Sequence, residues 1–105
     1  MKDQFHSQSI DKGNELLPIG TVLKMDGVEP FIMIYGRKQN QVDGDEKLWD
    51  YVGCPYPQGH ISTNTNIFFQ HEDIADVVFK GLETKGELAF RKELNRLLAK
   101  EESSN

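Results

Sequence analysis

The apolar positions of this 105-residue chain change their spacing twice. Up to Glu15 they are isolated, with Phe5 and Ile10 standing among polar residues. That pattern predicts a flexible N-terminal arm over residues 1–15. From Gly20 the apolar residues crowd into short runs. "GTVLKM" is β-branched and aliphatic and is followed by Asp26-Gly27, a dipeptide that favours the positive φ of a tight hairpin. "PFIMIY" is an unbroken apolar run after Pro30, as expected of a central strand covered on both faces. A polar turn centred on Asp43-Gly44 leads to "KLWDYV". There Leu48 and Val52 fall on one side, Trp49 and Tyr51 on the other. Three such strands predict an antiparallel meander. "IFFQ" and "DVVFKG" read as further short strands, and "HEDIA" between them as a single helical turn.

The second change of period comes at Gly86. Phe90, Leu94, Leu97 and Leu98 stand at i, i+4, i+7 and i+8, one apolar stripe of a helix over residues 86–100. Thr84 is placed to cap its start, with Glu87 three residues on. Glu87 and Arg91 form a favourable i, i+4 pair, and Lys100 suits the C-terminal end. Strands followed by one helix predict an α+β domain over residues 16–100, with 101–105 a polar tail. The expected architecture is a curved antiparallel sheet, meander-like or partly barrel-like, with one C-terminal amphipathic helix. The stripe is expected to cover a face of the sheet, the alternative being that it docks on another protein.

A net charge of −5 argues against gripping nucleic acid or an anionic membrane, since both need a basic surface. No apolar run reaches the length of a signal peptide or a membrane span. The single cysteine allows no internal disulfide. A cytoplasmic protein without membrane insertion is the expectation.

Candidate chemistry concentrates in "DYVGCPYPQGH", Asp50 to His60. An activated Cys54 needs a base, and neither His60 nor His71 stands at a protease or redox spacing. Cys54 is therefore expected to be a small buried hydrophobe. Cys54, His60, His71, Glu72 and Asp73 lack the close pairing of a structural zinc site. There is no phosphate-binding glycine motif. Arg37 and Lys38 after Gly36 read as solvated cations at a strand end. Asp50 reads as a hydrogen-bonded acid. Trp49, Tyr51 and Tyr56 either close the sheet or form an exposed aromatic patch of the kind that anchors interfaces. Gly53, Pro55, Pro57 and Gly59 make the segment a stiff corner that ends the third strand, with Cys54 inward and Tyr56 at the surface. No catalytic, cofactor or metal residues are assigned. Trp49, Tyr51, Tyr56 and Arg37 are the candidate partner-binding residues.

"LPIGTV", "MIYGR", "WDYVGCPYPQG" and "FFQHEDIADVVFKG" follow one another in an order that resembles domain-of-unknown-function family 4176. Pro55 stands where that pattern often has an aliphatic residue. The resemblance implies a small protein of Gram-positive bacteria, linked to type VII secretion and LXG-type toxins. It implies no enzymatic activity. The implied role is an adaptor, chaperone or targeting factor that binds a toxin's helical leader or a small helical secretion protein.

The chain has no W-x-G between two helical patterns, and no tyrosine has an acid four residues later. It therefore reads as a partner of helical secretion substrates, not as one of them. An exposed sheet edge, the loop around Tyr56 and the helix face are the candidate binding surfaces. An immunity protein that neutralises a basic toxin domain is the alternative. A small enzyme using the Cys54 loop ranks third.

Overall fold

A computed structural model describes residues 10–40 and 47–103, with side chains as far as Leu98. Most of the expected N-terminal arm, the Asp43-Gly44 turn, the Lys100 side chain and the tail lie outside those limits. Five strands form one antiparallel sheet: β1 (Val22–Met25), β2 (Val28–Asn40), β3 (Leu48–Tyr56), β4 (Ile67–Phe69) and β5 (Asp76–Phe79). One helix, α1 (Lys85–Ser103), follows. The α+β expectation therefore holds, with a sheet that is not closed.

β1 and β2 are joined across Asp26-Gly27, with Met25 opposite Val28 and Gly27 at φ 77°. A glycine meets that angle without a Cβ penalty. The strand order is β4-β3-β2-β1-β5, so the apolar run Phe31 to Tyr35 lies in the middle strand. Register breaks between Ile34 and Gly36, Leu23 and Met25, and Val22 and Leu23 bend and twist the strands.

β4 and β5 occupy opposite edges, yet only residues 70–75 connect them. Four strand gaps of about 4.8 Å span about 19 Å, so the link runs straight across one face. It places a 3₁₀ turn, His71–Asp73, and the buried Ile74 there.

That face carries the core. Register puts Leu23, Ile32, Ile34, Tyr51, Phe69 and Val77 on it. Leu16, Leu17 and Ile74 cluster with them. The segment before β1 thus acts as a strap. Ile10 bridges Val77, and Lys12 Nζ donates to the carbonyls of His71 and Ile74 at 3.1 and 3.0 Å.

The strap and the β4–β5 link cover the sheet where the helix was expected to. Among the described residues of α1, Leu94 alone packs against this cluster. The physical reason is occupancy: two short segments already lie across the core face, and α1 begins beyond β5.

Candidate functional site

The base of α1 is built from charged side chains. Thr84 Oγ1 accepts the Glu87 amide at 3.0 Å, capping the helix as its sequence predicts. The Glu87 carboxylate points away from the cap and toward the sheet. Arg37 Nη1 and Nη2, from β2, donate to its two oxygens at 2.6 and 2.8 Å. Arg91 Nη2, one helical turn on, donates to it at 2.9 Å. Arg37 Nη1 also donates to the Leu17 carbonyl at 3.3 Å, tying the strap to the same cluster. Arg91 completes the group through Glu83 at 2.6 Å and Glu15 at 3.3 Å.

Both arginines are buried. The forked hydrogen bonds of Arg37 hold the Glu87 carboxyl below its ordinary range, against a smaller upward effect of burial. Burial disfavours the Arg91 charge, but its hydrogen bonds to Glu83, Glu87 and Glu15 outweigh that and raise its pKa.

Arg37 and Lys38 are therefore not the solvated strand-end cations expected from sequence. Lys38 Nζ lies 2.6 Å from Asp50 Oδ1, directly across β3. Burial pushes the Asp50 carboxyl upward, but the Lys38 hydrogen bond and the His71 amide more than offset it, and the net shift is downward.

Above this cluster α1 exposes apolar surface. Phe90 is 53% exposed and Leu97 45%. They stand seven residues apart, about 10.5 Å along one flank of the helix. Leu94 lies half-buried between them and the core. The Phe90 ring sits over the Arg37 guanidinium, 5.5 Å from its centroid, a cation–π contact that steadies both.

Of the two alternatives for Trp49, Tyr51 and Tyr56, closing the sheet or forming an exposed patch, the three do not make one exposed patch. Tyr51 is fully enclosed, stacked on Phe69 with centroids 5.2 Å apart. Trp49 is half-buried, tilted against Phe68, with Lys47 Nζ 4.2 Å above its ring. Tyr56 is 45% exposed at the end of β3.

The Cys54 segment also differs from the expected corner. β3 runs through Gly53, Cys54 and Pro55, pairing them with Ile34, Met33 and Ile32. The turn comes afterwards, where the Gly59 amide donates to the Pro55 carbonyl at 2.7 Å and Gly59 takes φ 81°. Cys54 is buried and its thiol pKa is pushed up by that burial, the opposite of nucleophile activation. Among the described residues no group of three or more His, Cys, Asp or Glu could hold a metal ion.

A family model described as "Domain of unknown function (DUF4176)" matches residues 16–90. The chain belongs to this family. The DUF4176 match begins at the buried Leu16 of the strap, takes in all five strands and ends at Phe90, so it includes both Arg37 and Glu87. No curated protein matches the chain, nor does any solved structure.

The residue that sequence reading underrated is Glu87. Helical spacing pairs it with Arg91, whereas its forked tie to Arg37, fifty positions earlier, exists only in the folded chain. The available signal was the line Glu87, Arg91, Leu94, Leu98, in which two charges interrupt a helix face otherwise apolar.

Proposed function

We propose that this DUF4176 protein is a non-enzymatic accessory factor for an LXG-type toxin of type VII secretion. In this reading it acts in the cytoplasm as an adaptor, chaperone or targeting factor. It works by protein–protein binding, its partner being the toxin's helical leader or a small helical secretion protein.

The observation that carries the binding role is the bare flank of α1 at Phe90 and Leu97. Apolar residues spaced by two turns along a helix form a ridge against which a second helix packs. Phe90 is also held in place by Arg37, which lowers the entropy cost of presenting it. The burial and raised pKa of Cys54 weigh against the enzyme reading.

Co-expression with the toxin and small helical proteins encoded beside it, followed by pull-down, tests this. An adaptor retains the toxin's N-terminal leader and loses the toxin when that leader is removed. The immunity reading, favoured by the net charge of −5 against a basic toxin domain, predicts retention of the toxic domain alone. Failure to retain any of these proteins rejects both.

A further inference from the structure

We infer that α1 is a detachable arm, fastened to the sheet by the charge cluster around Glu87 and able to part from a sheet that stays folded. Helices normally join a sheet by burying an apolar stripe. Here, among the described helix residues, the one buried side chain is that of Arg91. Phe90 and Leu97, from the predicted stripe, stay largely exposed. The sheet's core face is closed without the helix, by Leu16, Leu17 and Ile74. Releasing α1 therefore uncovers little of the core beyond the contact of Leu94.

Glu87 is the joint. Among the described residues its carboxylate is the group of α1 that hydrogen-bonds a β2 side chain in the cluster, beside the Phe90 ring over the same Arg37, and it simultaneously holds Arg91. The groups facing it are Arg37 from β2 and Arg91 from α1. Glu83 and Glu15 face Arg91 in turn, and Lys80 lies 3.3 Å from Glu83.

Arg37, Arg91 and Lys80 thus meet Glu15, Glu83 and Glu87, a charge-balanced set. At its buried centre, Arg37, Arg91 and Glu87, the attraction is largely offset by the cost of drying the charges, while Glu15, Lys80 and Glu83 around it stay partly hydrated. The attached state then lies close in free energy to a detached state in which the same charges are hydrated. A detached helix of this length is marginal alone, so parting makes its amides exchange.

Residue-resolved amide hydrogen exchange on the full chain tests this with two variants. Glu87→Gln removes the charge that joins the arginines. It is expected to speed exchange at helix amides 89–98 at least tenfold while leaving Ile32, Ile34 and Tyr51 amides unchanged. Leu94→Ala is expected to have the smaller effect on the helix.

Three results would overturn the inference. The first is unchanged helix exchange in Glu87→Gln. The second is loss of protection in helix and sheet together, or failure of that variant to fold, which would make them one cooperative unit. The third is a larger helix response to Leu94→Ala than to Glu87→Gln, which would give the attachment to apolar packing.

Discussion

The Tyr51 hydroxyl lies 2.6 Å from His71 Nδ1. It also accepts the Leu17 amide at 3.0 Å. His71 Nε2 lies 2.8 Å from the Gly13 carbonyl, which can only accept. The Nε2 atom therefore donates there, and one hydroxyl joins β3, the β4–β5 link and the strap. Tyr51→Phe leaves the buried Leu17 amide without a partner and is expected to cost about 1–3 kcal/mol. Urea denaturation checks this as a lowered midpoint at unchanged slope. Nitrogen chemical shifts of His71 check that Nε2 carries the proton given to Gly13.

Cys54 is expected to be a slow thiol. It is buried, and burial raises its pKa. Labelling by an aromatic disulfide reagent should run at least about a hundredfold slower in the native chain than in urea, since it needs local opening. Prompt native labelling would place the thiol at the surface and revive a chemical role for it.

Gly81 is closely confined. A Cβ there would lie 2.2 Å from the Ile19 carbonyl oxygen and 3.0 Å from the Thr21 nitrogen. Its own amide donates to Thr21 Oγ1 at 3.1 Å. Backbone atoms cannot swing aside as a side chain does. Gly81→Ala is expected to cost at least about 1–3 kcal/mol, read as a fall in the thermal midpoint. Gly13→Ala, with nothing within 4 Å of its added Cβ, meets only the strain of its φ of 63° and should cost about 1 kcal/mol.

Acid should weaken the fold through Asp50 and Glu87. Both carboxyls are held below their ordinary values, so in the carboxylate range the unfolded chain binds more protons than the folded one. Their contribution is fully present above the unfolded pKa of about 4. It is lost as pH falls through the lower folded values. Stability measured from pH 7 to pH 3 should fall on that side, and the Asp50→Asn, Glu87→Gln double variant should show a shallower decline. An equal slope in the double variant would assign the acid sensitivity to other groups.

Binding, in the proposed reading, depends on the α1 flank. Phe90→Asp with Leu97→Asp places charge where a partner helix would pack. It should weaken capture of that partner by at least about thirtyfold, the scale of a 2 kcal/mol anchor. Tyr56→Ala, at the far end of β3, should leave capture unchanged and alter stability by less than about 0.5 kcal/mol. The reverse outcome would move the surface to the Tyr56 loop.

The sequence alone determined the elements, because they follow from local pattern. The run Phe31 to Tyr35 marked the central strand, Asp26-Gly27 the first hairpin, and the period-3.6 stripe after Thr84 the helix. The family motifs, Tyr51 within "WDYVGCPYPQG" and His71 within "FFQHEDIADVVFKG", were also legible. That a single hydroxyl joins them to Leu17 was not, because the hydrogen bonds link positions 20 and 34 residues apart.

Tertiary structure decided what covers what. Periodicity shows that a helix has an apolar face, but it cannot show that another segment has taken the place that face would fill. Here the strap at Leu16 and Leu17 and the link at Ile74 close the core first. The helix is left to attach through Arg37, Glu87 and Arg91 and to keep Phe90 and Leu97 exposed.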